Sequence, residues 1–280
     1  MIDLPDQRAP DAAPDLLAPL GRVVATERRP NTPHEFHFWT ALDANIGIGT
    51  IVRVDGSVAV NGHVPRIFGV VMEGQSWTDM LSPLDDVMGR DGDPGGGHQF
   101  TQRTEIRLYT ASVLRHMPDE PLQPVPMGTV WLADDTDVAL ALRMDGYLAA
   151  DKRTAIPVGL YRSGGTESPV YLDADFLLGP EAAHLNITGV SGLATKTSAV
   201  EWLLQSIFAH FPADKGSVAA VCFNVKGPDL LYLDQPATLA PEDRAMYDTL
   251  GVPAEPFKDV QFYAPYDAAL RGLATIRSNE

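Results

Sequence analysis

Short apolar runs separated by turn residues fill the chain from about residue 20 to residue 165. Six of these runs are rich in Val, Ile or other strand-forming residues: FHFWTAL (36–42), IGTIVRV (48–54), PRIFGVVMEG (65–74), EIRLYTASVLRH (105–116), TVWLA (129–133) and IPVGLYR (156–162). Asp55-Gly56 and Asn61-Gly62, on either side of the strand-like SVAV (57–60), favour tight hairpins because they tolerate positive φ. The pattern predicts a small β-barrel or sandwich, and a closed barrel is favoured because it leaves no exposed edge.

The pattern changes after Gly164-Gly165. In TSAVEWLLQSIFAHF (197–211) the apolar residues recur at spacings of three and four, which predicts one buried helical face. Three apolar runs flank this helix and predict strands: AAHLNITG (182–189), SVAAVCFNV (217–225) and VQFYA (260–264). Alternation of strand and helix predicts the beginning of an α/β domain with a parallel sheet.

Composition limits the classes of protein to be considered. The 280 residues suffice for two domains, and 45% hydrophobic residues exclude wholesale disorder. No stretch approaches the ~20 apolar residues of a membrane helix, and the acidic, Pro-rich start does not resemble a signal peptide. Cys222 has no second cysteine to pair with, so we expect a cytoplasmic protein without a membrane association. A formal net charge of −16 opposes general binding to nucleic acid, so DNA contacts must be concentrated or supplied by other parts.

The segment GVSGLATKTS (189–198) joins a predicted strand to the predicted helix. A phosphate-binding loop needs glycines that let backbone N–H groups curl around phosphate, a lysine, and a hydroxyl for magnesium, all at a helix N-terminus. Gly189, Gly192, Lys196 and Thr197 supply these parts in that order.

The match departs from the usual pattern in two ways. Lys196 lies seven residues after Gly189 rather than six, and Thr195 stands where a glycine is usual. A β-branched residue there would strain a loop with the usual backbone. The loop is therefore differently wound, or it is a simple helix entry in which Ser191 or Thr195 serves as the N-cap.

The barrel-like strands through residues 36–54 and 67–74, together with PVYLDADFLLGPEAAHLNITGVSGLATKTS (169–198), resemble the HerA-like ATPases of the FtsK/HerA superfamily. These are hexameric DNA translocases in which a small N-terminal β-barrel, the HAS-barrel, precedes a RecA-like ATPase core. The resemblance implies ATP and Mg²⁺ as cofactors. It implies that Lys196 contacts the β- and γ-phosphates as the catalytic residue and that Thr197 ligates magnesium. Gly189, Val190, Ser191, Gly192, Thr195 and Ser198 complete the implied loop, and Ser198 adds an α-phosphate contact.

The resemblance divides the chain into three parts. Residues 1–19 are a flexible lead-in, 20–165 a HAS-barrel-like domain, and 166–280 the N-terminal part of a P-loop (RecA-like) core that is incomplete at its C-terminus. The second magnesium ligand and the water-orienting base are expected from later strands of such a core. Asp234, at the end of LLYLD (230–234), is a weak candidate, and Lys226 or Asp229 could lie near nucleotide or in a surface turn. Arg244, Arg271 and Arg277 are open candidates for an arginine finger.

We therefore expect an ATPase and hydrolase of helicase-like type that moves along double-stranded DNA as a homo-hexamer. The barrel is expected to dock a nuclease or another effector in DNA end processing or anti-phage defence. The acidic segment with Asp85, Asp86, Asp91 and Asp93, and the Gly-rich loop 89–97, are the expected docking features. DNA would be held by pore elements not evident in this chain. The alternative is a nucleotide-stabilised assembly and docking module without sustained hydrolysis, and a small-molecule kinase is a third, weaker possibility.

Overall fold

The computed structural model of the chain describes residues 18–59, 62–95, 104–149, 154–179, 184–189, 195–224, 228–269 and 271–275. The chain divides into two compact units. The first, here called the barrel unit, comprises Met1–Arg143 together with Arg162–Ser168. The second unit comprises Met144–Tyr161 and Pro169–Glu280.

The strands and helices follow in chain order. The strands are β1 (Gly21–Val24), β2 (Glu35–Thr40), β3 (Ile51–Gly56), β4 (Arg66–Trp77), β5 (Ile106–Met117), β6 (Gly128–Leu132), β7 (Ala155–Ser163), β8 (Thr166–Asp173), β9 (Tyr266–Asp267) and β10 (Gly272–Leu273). The α-helices are α1 (Leu84–Gly89), α2 (Asp135–Ala141), α3 (Asp145–Leu148), α4 (Ala174–Leu178), α5 (Thr195–His210) and α6 (Pro241–Leu250). Two short 3₁₀ helices cover Ala213–Lys215 and Asp229–Tyr232. No helix in the described residues has the length and apolar character needed to cross a membrane.

Strands β1 to β6 form a closed antiparallel barrel in the order β1-β2-β5-β4-β3-β6. This confirms the barrel predicted from the strand pattern. The barrel is closed by the pairing of β1 with β6, in which Gly21 is opposite Val130 and Arg22 is opposite Thr129. The backbone N–H of Leu20 adds a hydrogen bond of 2.8 Å to the Val130 carbonyl.

Alternation along the strands decides which side chains fill the barrel. On β2, Phe36 and Phe38 are fully buried, whereas the next residue, Trp39, is 45% exposed. The Phe38 ring lies 5.5 Å from the ring of Tyr109 on β5 and 5.9 Å from Phe36, centroid to centroid. The remaining buried residues of this core come from all the other strands and one loop: Val23, Val52, Val54, Ile67, Val71, Ala111, Val125 and Val130.

Helix α2 packs on the outside of the barrel. Arg53, Phe68 and Arg115 share one register row across β3, β4 and β5. Arg53 Nη1 donates to Asp137 Oδ2 at 2.6 Å, and Arg115 Nη1 donates to the Leu140 carbonyl at 2.9 Å. The two arginines thus hold α2 over a fully buried Phe68.

The sequence pattern did not predict α2, although its start carries a capping signal. Asp134 Oδ1 accepts from the Asp137 N–H at 2.8 Å, and the Asp137 carboxylate reaches back to the Asp134 N–H. Such a reciprocal cap satisfies two of the otherwise unpaired N–H groups at a helix start. The helix has only seven residues, too few for a clear period of 3.6.

Two of the predicted local features of the barrel unit are wrong. Asp55-Gly56 is not a tight turn, because both residues lie in β3 and pair with β6. A Cβ on Gly56 would lie 2.6 Å from the Pro65 ring, so close approach rather than a turn requires the glycine. Of SVAV (57–60) the described part, 57–59, is not a strand, and Asn61 lies outside the described residues. Helix α1 ends at Gly89, the residue at which the expected Gly-rich loop 89–97 begins.

In the second unit β7 pairs with β8, and α5 packs against this part of the chain. The predicted strand 156–162 is confirmed, but it belongs to this two-stranded hairpin and not to the barrel. A small core unites Ile156, Ala174 and Ile207, with Leu203 and Phe211 packed against it. The amphipathic helix predicted over 197–211 is therefore confirmed as α5, starting two residues earlier.

Three strands predicted for a parallel sheet are absent from the described residues. Residues 184–189, 217–224 and 260–264 have no regular secondary structure. Val221 is 81% and Phe223 83% exposed, so no strand among the described residues covers them. A parallel strand is stable only when strands and helices cover it, and an apolar run alone does not supply those partners. The described residues therefore show a barrel with further strands and helices, but not the sheet of a P-loop domain.

Replacing Gly21 tests how closely the barrel closes. A Cβ at Gly21 would collide with the Trp39 carbonyl oxygen, whereas a Cβ at Gly47 would meet nothing within 4 Å. We expect Gly21→Ala to lower the unfolding free energy by about 1–3 kcal/mol or more, because overpacking displaces backbone. Gly47→Ala is the matched control and should be neutral or slightly stabilising. Equal midpoints in urea denaturation would contradict this account of closure.

The Arg53–Asp137 pair predicts a pH dependence of stability. Burial raises the pKa of the Asp137 carboxyl, and Asp134 adds to the rise, while Arg53 lowers it. Between the ordinary value of about 4 and the raised pKa, the folded chain holds a proton that the unfolded chain has released. The contribution of Asp137 to stability therefore falls as pH rises through that window. The unfolding free energy of the native protein minus that of Asp137→Asn should fall in parallel.

Asp135→Asn, two residues away and exposed, removes the same charge from the same helix and serves as the control. Urea denaturation at several pH values measures all three proteins. If the unfolding free energy of the native protein minus that of Asp137→Asn rises with pH, the Arg53 ion pair lowers the pKa of Asp137 by more than burial raises it.

Candidate nucleotide-binding loop

The predicted phosphate-binding segment leads directly into α5, the longest helix in the described residues, with sixteen residues. Gly189 and the stretch Thr195–Ser198 are described, and α5 begins at Thr195. Val190, Ser191 and Gly192 lie outside the described residues. The helix start that the motif requires is thus present, while the middle of the loop is not part of the description.

Lys196 and Gly189 are brought together by the fold. Lys196 Nζ donates a hydrogen bond of 2.9 Å to the Gly189 carbonyl oxygen, across seven residues of sequence. The lysine is half-buried, Thr197 is half-buried and Ser198 is exposed. The first turn of α5 contains no acidic residue. The partial positive charge at this helix start is therefore reinforced by an ammonium group and opposed by no carboxylate in that turn.

Polar contacts as well as apolar packing hold α5 in position. Trp202 Nε1 donates to the Val158 carbonyl at 3.0 Å, and Ser206 Oγ donates to the Pro157 carbonyl. Both acceptors belong to β7. Trp202 and Ser206 are four residues apart, so they lie on one side of the helix, next to the buried Ile207. The apolar pattern of α5 did not predict these two polar contacts. The i, i+4 spacing of Trp202 and Ser206 is the sequence signal that indicates them.

Helix α5 also contacts the segment around α6, in part through the same Trp202 side chain. The Trp202 and Tyr247 rings meet edge to face with centroids 4.6 Å apart. Gln205 Nε2 donates to the carbonyls of Pro253 and Glu255 at 3.1 and 3.2 Å. Burial raises the pKa of the Tyr247 hydroxyl, so the ring contributes as a neutral group at physiological pH. The helix that begins at the candidate loop is thus held along its length.

The acidic candidates for magnesium are not placed at strand ends. Asp234 is half-buried and follows the 3₁₀ helix Asp229–Tyr232 in a turn. Lys226 lies outside the described residues. Among the residues that the structure describes, no cluster of three or more His, Cys, Asp or Glu side chains is suited to a metal ion. Thr197 is therefore the magnesium candidate with the best-defined position, at the start of α5.

The arginine candidates are spread over the second unit. Arg244 lies in α6, and Arg271 lies in the turn between β9 and β10 with a positive φ of 51°. Arg277 is outside the described residues. The structure therefore does not favour one of them as an arginine finger.

Comparison with models of known protein families gives no match for this chain, and comparison with curated proteins gives none either. The HerA-like assignment therefore stays a prediction from the quoted residues, and the described structure shows only the six-stranded barrel.

Proposed function

We propose that the chain binds ATP with magnesium through residues 189–198 and acts as the nucleotide-binding part of a HerA-like ring ATPase. The observation that carries this proposal is the position of Lys196, in the first turn of a sixteen-residue helix with its Nζ on the Gly189 carbonyl. Lysine, glycine and helix start are the three parts of a phosphate site that the described residues provide together.

The electrostatics of this helix start suit a polyphosphate. The N–H groups and the helix dipole at the start of α5 give it a partial positive charge, and Lys196 adds a full one. In the described state the ammonium group is satisfied by a neutral carbonyl. A phosphate oxygen carries negative charge, so it is a stronger acceptor for an ammonium group than a neutral carbonyl oxygen is. Nucleotide would therefore draw Lys196 from Gly189 onto its β- and γ-phosphates.

Thr197 is the proposed protein ligand for magnesium, since its hydroxyl directly follows the lysine. When bound, the metal would neutralise charge between the β- and γ-phosphates. Gly189, Val190, Ser191, Gly192 and Thr195 would provide the loop around the phosphates. Ser198 would contact the α-phosphate.

The larger assembly is proposed from the resemblance together with the barrel. A homo-hexamer would move along double-stranded DNA and dock a nuclease or another effector through the barrel, in end processing or anti-phage defence. A net charge of −16 requires that DNA contacts be confined to pore elements. The barrel supports a docking role because loops on a rigid β scaffold commonly carry recognition.

A second candidate function is nucleotide-stabilised assembly and docking without sustained hydrolysis. The observation that favours it is the lack of regular strands over the described residues 217–224 and 260–264. A P-loop ATPase places the second magnesium ligand at the end of such a strand. Asp234 instead lies in a turn. Binding and turnover are therefore separate questions for this chain.

Replacing Lys196 tests the binding site. We expect Lys196→Ala to weaken ATP–magnesium binding roughly 10–100-fold, since hydrogen bonds to charged groups contribute about 1.5–3 kcal/mol. Lys258, which pairs with Glu255 at the surface, provides a matched control because Lys258→Ala removes the same charge from the same unit. Calorimetric titration of the three proteins measures the effect. Equal affinity in all three would show that residues 189–198 are a structural helix entry.

Turnover separates the two candidate functions. We expect the 280-residue chain to release phosphate far more slowly than the roughly 10 s⁻¹ of a typical enzyme, because the acidic candidate Asp234 lies in a turn and not at a strand end. A phosphate-release assay under saturating ATP and magnesium measures it, with Lys196→Ala as the blank. Fast turnover that disappears in Asp234→Asn would instead make Asp234 the missing acid and favour the ring ATPase.

A further inference from the structure

A pocket of about 200 Å³ lies at one end of the barrel. Gly56, where β3 ends, is opposite Gly128 at the start of β6. Arg66, where β4 starts, is opposite Met117 at the end of β5. The segments that continue from these four strand ends line the pocket, so it is a mouth of the barrel. Such mouths are common positions for ligand sites.

Two buried residues of the described lining, Ile67 and His116, form the floor of this pocket. They are directly opposite each other on β4 and β5. Side chains of directly paired residues lie on the same face of a sheet. Because Ile67 belongs to the barrel core, His116 also faces the interior of the barrel, at its end.

The walls of the pocket are mainly apolar and are held in place. Nine of the thirteen described lining residues are apolar, and five of them are prolines: Pro65, Pro118, Pro121, Pro124 and Pro126. Proline has a fixed φ and no N–H, so these walls are stiff and offer few backbone donors. The segment 118–126 is fastened to the barrel by Val125, whose N–H donates to the Thr32 carbonyl at 3.2 Å and whose side chain lies in the core.

Two methionines in the lining favour an aromatic ligand. Met117 ends β5, and Met127 directly precedes β6. Thioether sulfur makes favourable contacts with aromatic rings, so this lining prefers an aromatic ring to an aliphatic group of the same size. The volume suits a single ring, since an apolar cavity of about 150 Å³ can hold benzene.

His116 supplies one hydrogen-bond acceptor at the floor. Its Nε2 lies 2.8 Å from the Pro33 carbonyl oxygen, which can only accept. Nε2 therefore carries the proton, and Nδ1 of the neutral ring is an acceptor. No described residue donates to Nδ1, and Nδ1 is not among the fully buried polar atoms that lack a partner, so it keeps accessible surface. Since His116 lines the pocket and is only 9% exposed, that surface opens into the pocket.

The charges around the pocket favour a neutral ligand. The described lining contains no Asp, Glu, Lys or Arg. Charged neighbours are paired with each other: Arg66 Nε lies 3.2 Å from Asp55 Oδ1. Likewise, Arg143 Nη2 lies 2.9 Å from Asp119 Oδ1. The other polar lining residues are exposed, where water satisfies them: Ser57, His63 and Gln123.

We propose that this pocket binds a single aromatic ring that bears a hydroxyl group. The hydroxyl donates to His116 Nδ1, and the ring packs against Met117 and Met127. The chemical class is thus a neutral phenol, carried either by a small molecule or by a tyrosine side chain. The site belongs to the barrel unit and is independent of nucleotide binding by residues 189–198.

The experiment titrates phenol into the full chain, without nucleotide, after ¹³C labelling of the methionine methyl groups. Ring currents should shift the methyl signals of Met117 and Met127 as the pocket fills. Met72 and Met88 are exposed and outside the described lining, so their signals should stay in place and serve as internal controls. Toluene, which has no donor, and cyclohexanol, which has no aromatic ring, are the matched ligands.

Two histidine variants test the acceptor. His116→Leu removes it, and His63→Leu makes the same change at an exposed lining histidine. The ratio of phenol affinity to toluene affinity should fall about fivefold in His116→Leu, because one neutral hydrogen bond is lost, and should stay native in His63→Leu. Toluene binding by His116→Leu shows that its pocket still forms. In the native protein, where folding is not in question, phenol but not toluene should shift the ¹⁵N signal of His116 Nδ1.

Unshifted Met117 and Met127 signals in phenol, equally tight binding of cyclohexanol, or an Nδ1 signal that does not respond to phenol would each contradict this site. A phenol-to-toluene ratio that stays native in His116→Leu would contradict it as well. The small phenol p-cresol and the peptide Gly-Gly-Tyr-Gly-Gly separate the two sources, since the tighter ligand identifies a free phenol or a tyrosine side chain. Lys196→Ala should bind phenol normally, so the two proposals fail separately.

Discussion

The short pairing between β1 and β6 is the constraint on which the barrel unit depends. Two residue pairs and the Leu20 hydrogen bond close the ring of strands. Without them β1 and β6 would be free edges, and open edges expose both backbone groups and the apolar interior. Closure completes a ring in which β1 also pairs with β2. It also fixes the end of β6, from which the chain enters the cap of α2. The collision at Gly21 shows how little room this junction has.

Charge is distributed so that many arginines of the barrel unit already have acidic partners. Arginines paired with acids in this unit are Arg53, Arg66, Arg90, Arg107, Arg115, Arg143 and Arg162. Exposed pairs of this kind add little to stability, but they neutralise cations that could otherwise bind phosphate. The net charge of −16 over the whole chain likewise opposes general binding to phosphate. Arg29 differs because its partner is the neutral Gln75, so its charge stays available.

The sequence was most informative where local pattern and tertiary partners agree. The apolar run 36–42 predicted a strand that the structure shows as β2, because the other barrel strands supply the interior that the Phe36 and Phe38 rings fill. The apolar period of α5 was also sufficient, since Ile207 finds its core on the adjacent hairpin. The run 217–225 failed because hydrophobicity indicates a need for burial and does not supply the partner strands. Helix α2 was missed for the opposite reason, since its main contacts are the long-range bonds to Arg53 and Arg115.

The candidate nucleotide site also has requirements of two kinds: some are met by residues close in sequence and others by distant parts of the chain. The motif residues and the helix start all lie within residues 189–198, so the sequence could predict them together. In the structure Lys196 donates a hydrogen bond to the Gly189 carbonyl. These local parts provide most of what phosphate binding needs. The second magnesium ligand must come from another strand of the sheet, and no nearby spacing encodes it. The proposed nucleotide binding therefore depends on local features of residues 189–198, whereas the proposed hydrolysis requires a sheet that the described residues do not form.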